Sequence, residues 1–140
     1  MIIGNIAMKI LIVKLGAIGD VLRTTFVTRG MKDKYPQCHI TWITRENAVA
    51  LLEGNQYVDL VLRWEHRDRL AEETFDLVYS LDDEREVCEF VTGLQKKILH
   101  GAYFDVDGES KYTDSVEDWF GMGLLRPEAQ GGKRVADDLK

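Results

Sequence analysis

Lys14-Leu-Gly-Ala-Ile-Gly-Asp20 follows without a gap on the apolar run Lys9-Ile-Leu-Ile-Val-Lys14 and leads into a helical pattern that stops at Tyr35-Pro36. A strand that passes through a glycine-bearing turn into a helix is the opening unit of a parallel α/β sheet. The chain then repeats that unit. Apolar runs of strand length recur at His39-Ile-Thr-Trp-Ile-Thr44, Asp59-Leu-Val-Leu-Arg63 and Asp76-Leu-Val-Tyr-Ser80, with a weaker one at Lys97-Ile-Leu-His100. Their apolarity is continuous rather than alternating, so both faces of the sheet are covered. Helical patterns fill the intervals: Asp20 to about Tyr35, Glu46 to about Glu53, a short one near Arg67 to Glu73, and Asp83 to about Gln95. The expected fold is α/β, a Rossmann-like parallel sheet with helices on both faces, joined by right-handed crossovers.

The helices differ in how cleanly they read. In the fourth, Val87, Phe90, Val91 and Leu94 take the i, i+3, i+4, i+7 positions of one apolar stripe. In the first, Leu22, Phe26, Val27 and Met31 spread around the axis, and Gly30 costs roughly 1 kcal/mol relative to alanine unless close packing requires it. Regularity weakens after His100, where 101–108 reads as a late strand followed by a turn. A last helix is expected from Asp114, where Asp114 and Glu117 approximate a capping box and Val116, Trp119, Phe120 and Gly123 share a face. One domain is expected over 1–125, and 126–140, with Pro127 and Gly131-Gly132, reads as a linker or tail.

Composition narrows the function. A chain of 140 residues has room for one hydrophobic core, and 45% hydrophobic with 30% charged residues is the balance of a folded domain. The net charge of −6, with lysines and arginines scattered, argues against nucleic acid and against an anionic lipid surface. No signal peptide or membrane span is read, since Ile10 to Val13 is only strand-length and lies between Lys9 and Lys14. Cys38 and Cys88 are fifty positions apart with no Cys/His cluster, so neither a disulfide framework nor a zinc site is expected, and a cytoplasmic location fits.

The chemistry-bearing stretch is the loop after the first strand. At the carboxyl edge of a parallel sheet, loops converge and helix N-termini present unpaired N–H groups and a positive dipole end. Gly16 and Gly19 are expected to let the backbone turn tightly and approach a ligand, with Ala17 and Ile18 between them. The loop falls short of GxGxxG, so a dinucleotide site is not supported. Asp20 has two readings: a first-turn carboxylate favoured by the dipole, or a general base that takes the proton of an attacking sugar hydroxyl. Lys14 would either counter a phosphate or carboxylate on an acceptor or reach solvent. Arg23 and Arg45 are candidates for the same anionic group. Asp82-Asp83-Glu84 lies on this edge too; capping explains it better than Mg²⁺, so no metal site is assigned. Trp42, Trp64 and Trp119 read as core or interface packing rather than sugar stacking, and Arg63 to Arg69 as a solvated loop with a short helix.

The run from Met8 to Thr25, the helix ending Lys32-Asp-Lys-Tyr-Pro36, the strand Ile40-Thr-Trp-Ile43 and the segment Phe75 to Asp82 together resemble the ADP-heptose:lipopolysaccharide heptosyltransferases, glycosyltransferase family 9, over about residues 8 to 123. The resemblance implies the N-terminal domain of a GT-B enzyme, which holds the acceptor, while a C-terminal domain binds the nucleotide sugar. It implies Asp20 as the catalytic base, while position at the carboxyl edge puts Lys14, Gly16, Ala17, Ile18, Gly19 and Arg23 at the acceptor. It also implies a lipopolysaccharide-core acceptor and a donor such as ADP-heptose, with no cofactor beyond that donor. Phe26 departs from the pattern, which usually has proline there. With no donor-binding half in the sequence, the chain is expected to be truncated, inactive alone, and open to self-association through the uncovered domain interface. The rival readings are a standalone module that holds a phosphorylated small molecule or sugar on the glycine loop, and an interaction protein whose exposed apolar flank pairs with another chain.

Overall fold

Five parallel strands and one antiparallel strand form a single sheet, in the order β3-β2-β1-β4-β5-β6, in a computed structural model that describes residues 8–105 and 107–113. The elements run β1 (Lys9–Val13), α1 (Ile18–Thr24), α2 (Phe26–Lys34), β2 (His39–Thr44), α3 (Glu46–Glu53), β3 (Leu60–Arg63), a 3-10 segment (Trp64–Leu70), β4 (Thr74–Ser80), α4 (Arg85–Thr92), β5 (Gln95–Phe104) and β6 (Ser110–Tyr112). The α/β class and the parallel sheet are those expected. The helix expected from Asp114, the tail from Arg126 and Trp119 lie outside the described residues.

Both faces of the sheet are buried, as the continuous apolar runs require. On β1, Ile10 and Ile12 pack with Val21, Met31, Trp42 and Leu52 under α1 to α3. Leu11 and Val13, one residue out of step, pack with Ile43, Trp64, Val87 and Val91 under the 3-10 segment and α4. All four β1 residues are wholly buried, so cutting either isoleucine to alanine removes core contacts worth about 2–5 kcal/mol.

Several elements differ from the sequence reading. The single first helix is two helices that abut at Thr25. The hydroxyls of Thr24, Thr25 and Thr28 donate to the carbonyls of Asp20, Leu22 and Thr25, each at 2.7 Å, and the Thr25 N–H is shared between Val21 O and Leu22 O. Such back-bonding loosens the regular helix ladder and bends it. The break resolves the untidy pattern: Val27 and Met31 face the core, whereas Leu22 and Phe26 are exposed. The short helix expected near Arg67 is a 3-10 segment that begins at Trp64. Two apolar anchors, Trp64 and Leu70, pin this charged stretch to the sheet. Arg67 lies over the Trp64 ring at 4.1 Å, and Phe90 meets that ring edge-on at 5.4 Å.

The last part of the sheet is longer than its sequence suggests. β5 starts within the polar Gln95-Lys96-Lys97 and continues through Gly101, whose φ is +124°. A Cβ there would lie 2.0 Å from the Ser80 carbonyl oxygen, so β4 and β5 approach each other in a way that only glycine permits. The chain then turns at Asp105, which accepts N–H bonds from Asp107 and Glu109 and pairs with Lys111, and returns as antiparallel β6.

Candidate functional site

The connection from β1 goes to β2 on one side, while β4 and β5 extend the sheet on the other, so the strand order reverses between β1 and β4. Loops that leave neighbouring strands for opposite faces part from one another, and the crevice between them is where open α/β sheets take ligands. The glycine loop 14–20 and the acidic segment 82–84 are the two walls of that crevice.

Its floor is an ion pair of the protein's own. Lys14 is wholly buried, and its Nζ donates to Asp82 Oδ1 at 2.7 Å; the two side chains are 0% and 3% exposed. Asp82 Oδ2 accepts a short hydrogen bond from the Leu15 N–H and a longer one, 3.4 Å, from the Gly16 N–H. Trp42 Nε1 donates to the Lys14 carbonyl at 3.2 Å, tying the end of β1 to β2. Lys14 therefore does not reach solvent, which corrects one of its two sequence expectations, and its charge is met by Asp82. The reason is a carboxylate sixty-eight positions away, on the neighbouring strand's exit, that no local spacing reveals.

The two glycines of the loop differ in what they do. Among the described glycines a positive φ occurs only at Gly101 and Gly108, so neither Gly16 nor Gly19 is needed for an unusual turn. At Gly16 the constraint is space, since a Cβ would meet Lys14 Nζ at 3.1 Å and the Asp20 Cβ at 3.7 Å. At Gly19 nothing lies within 4 Å of that position, so the backbone there is open to close approach.

Ala17 is the extended N-cap of α1 and makes no side-chain cap, and Ile18, Gly19 and Asp20 form the first turn. Asp20 is on the rim, its side chain 22% exposed, and its Oδ1 is held by the guanidinium of Arg23 one turn on. Ile18, Leu22 and Phe26 follow at intervals of four and are 46%, 54% and 59% exposed, an apolar stripe along α1 and α2 beside that carboxylate. A surface groove of about 390 Å³ continues it, lined by Thr25, Phe26, Arg29, Asn55, Gln56 and Tyr57.

Across the mouth of the crevice, Arg45 pairs with Glu84 at 2.8 Å. Arg45 is the N-cap of α3 and Glu84 that of α4, so the pair bridges helices on opposite faces, above the end of β1. The acids 82–84 thus do not converge: Asp82 turns inward to Lys14 and Glu84 outward to Arg45. Among the described residues no group of three His, Cys, Asp or Glu is placed to hold a metal ion. Two hydroxyls that are buried without a hydrogen-bond partner, Thr44 Oγ1 and Ser80 Oγ, end β2 and β4 at this same edge. Trp42 and Trp64 are core residues, as read. No helix of the described residues is long and apolar enough to cross a membrane.

No protein-family model matches the chain, and no curated protein does. Among solved structures, the E. coli heptosyltransferase WaaC with ADP matches with a TM-score of 0.58 at 24% identity, over 67% of this chain and 34% of that one. The glycosyl transferase family 9 protein from Veillonella parvula matches with a TM-score of 0.61 at 20% identity, over 69% of this chain and 32% of that one. The chain spans about a third of the length of these two structures, and the likeness is one of fold.

Proposed function

We propose that this chain is the acceptor-side, N-terminal part of a heptosyltransferase-like glycosyltransferase that acts in the cytoplasm on a sugar acceptor of the lipopolysaccharide core. The observation that carries the proposal is Asp20: a rim carboxylate at the crevice of the strand-order reversal, oriented by Arg23, in a domain whose fold is that of one third of a heptosyltransferase. In the reaction, an acceptor hydroxyl gives its proton to a carboxylate oxygen of Asp20 as its oxygen attacks the anomeric carbon. The bond from that carbon to the nucleoside diphosphate breaks, the diphosphate leaves with the electron pair, and the configuration inverts. Gly19 leaves room for the acceptor, and Ala17, Ile18 and Arg23 border it.

Stabilising the departing diphosphate is the larger electrostatic task, and it needs a second surface that binds the donor, such as ADP-heptose. The apolar stripe Ile18, Leu22 and Phe26 beside Asp20 supports this reading, because an exposed apolar strip next to a reacting group is what a second domain would cover. The rival phosphate-binding module is disfavoured by the loop itself, whose Leu15 and Gly16 N–H groups already bond Asp82.

The test is sugar transfer with a donor-binding domain joined or supplied in trans. The chain alone should give none. Asp20→Asn should lower kcat by about 10²–10⁴-fold with little change in acceptor KM. The fold should be kept, since an exposed i, i+3 pair is worth only a few tenths of a kcal/mol. Undiminished transfer by Asp20→Asn would reduce Asp20 to a helix-start carboxylate.

A further inference from the structure

We infer that Asp82 is an internal ligand of the glycine loop, a positioning residue that occupies the oxyanion place between Lys14 and the Leu15 and Gly16 amides and thereby sets where Asp20 stands. The inference rests on the proposed role of Asp20, but it concerns a different residue and has its own readout.

A lysine ammonium and successive backbone N–H groups of a glycine-bearing loop, at the end of a first parallel strand, are the parts from which proteins build oxyanion sites. Here one Asp82 oxygen takes the ammonium at 2.7 Å and the other takes the two amides. A carboxylate with both oxygens engaged by donors fixes direction as well as distance. The connection to Asp20 is short and tight. A Cβ at Gly16 would meet both Lys14 Nζ, at 3.1 Å, and the Asp20 Cβ, at 3.7 Å, and α1 begins at Ile18. Losing the Asp82 carboxylate frees Leu15 and Gly16, and the start of α1 moves with them. With these amides so occupied, a substrate phosphate would lie further out, toward Ala17, Gly19 and Arg23.

The experiment uses the intact chain. Amide hydrogen exchange and backbone NMR are read on wild type, Asp82→Asn and Asp82→Ala, with the Trp42 indole resonance and circular dichroism reporting the fold. In wild type the Leu15 and Gly16 amides should be protected, and inorganic phosphate should leave their shifts unmoved. In Asp82→Asn, which keeps the volume and loses the charge, they should exchange about ten-fold faster or more, and the Asp20 resonances should shift. In Asp82→Ala, added formate should restore the protection, which loss of packing alone would not allow. The inference is overturned by unprotected Leu15 and Gly16 amides in wild type, by unchanged exchange in a folded Asp82→Asn, or by formate having no effect on a folded Asp82→Ala. Should the alanine variant not fold, Asp82→Asn decides. None of these readouts depends on sugar transfer, so a failure of the Asp20 mechanism is seen separately.

Discussion

Replacing Lys14 by methionine keeps most of the length of the side chain and removes its charge together with the hydrogen bond it donates to Asp82. The structure sets the size of the effect. The ammonium is wholly buried, 2.7 Å from a carboxylate whose own side chain is 3% exposed. Without it Asp82 keeps two backbone N–H bonds and no countercharge at a buried position. Breaking one side of a buried pair costs about 3–5 kcal/mol, against a typical domain stability of about 5–15 kcal/mol. Tm should fall by at least about 10 °C, and the urea midpoint should drop without a change in slope. Lys14→Met with Asp82→Asn should be more stable than Lys14→Met alone, because the second change removes the uncompensated charge. Equilibrium urea unfolding followed by tryptophan fluorescence compares wild type with both variants, and a thermal melt gives Tm. A Lys14→Met variant within about 1 kcal/mol of wild type would refute the reasoning, since it would mean that the pair is solvated and contributes as little as a surface one.

Two glycines should respond in opposite directions in the same assay. Gly30 is exposed, lacks a positive φ and has open space around its would-be Cβ, so Gly30→Ala should stabilise by about 0.5–1 kcal/mol; a loss would mean that the backbone there is not helical. Gly101→Ala has to part β4 from β5 and should cost about 3 kcal/mol or more, whereas a neutral result would deny the close approach at Ser80. Acid should weaken the fold in two stages. Burial, and next the charge of Lys34, hold the His100 pKa below its usual value. The Lys9 N–H and then Lys97 hold Asp76 below the carboxylate range, and at Asp59 bonds from Lys32 and the Ile40 N–H outweigh the upward push of burial. All three pKa values are depressed on folding, so their contribution is complete above the unfolded values of about 6.5 for histidine and 3.9 for aspartate. It is lost as pH falls through the folded ones. Urea midpoints between pH 7 and pH 3 should therefore only decrease, and a rise on acidification would contradict the assignment.

Much of the fold is legible because it depends on local pattern. The bounds of β2 and α3, His39–Thr44 and Glu46–Glu53, are those of the apolar run and the helical pattern, and β1 differs from its run by one residue. The failures are tertiary. Lys96 and Lys97 hide the start of β5, which forms because Gln95 to Gly101 pair with β4 from Thr74 to Ser80. The start of α4 at Arg85 instead of Asp83 follows from Asp82 turning toward Lys14, and the break at Thr25 from hydroxyls whose bonding carries no periodic signal. At the site, the sequence located the loop and Asp20 on the right edge but assigned Lys14 outward and Asp82 to helix capping. Each residue is ordinary alone, and only the adjacency of β1 and β4 makes them a pair.

The short return strand β6 bears on how this protein behaves in a crowded solution. A parallel sheet that ended on the ten-residue β5 would offer a long row of free N–H and C=O groups to a strand from another molecule, the route to intermolecular β-structure. Instead Ala102, Tyr103 and Phe104 are paired within the chain, and the outermost strand is three residues long and carries Lys111. The opposite border, β3, is four residues long, follows Asp59 and ends in Arg63, charges that resist strand addition. Both flanks of the sheet are thus poor templates, and association of this domain with another protein is directed to its helical surface, where Ile18, Leu22 and Phe26 stand open.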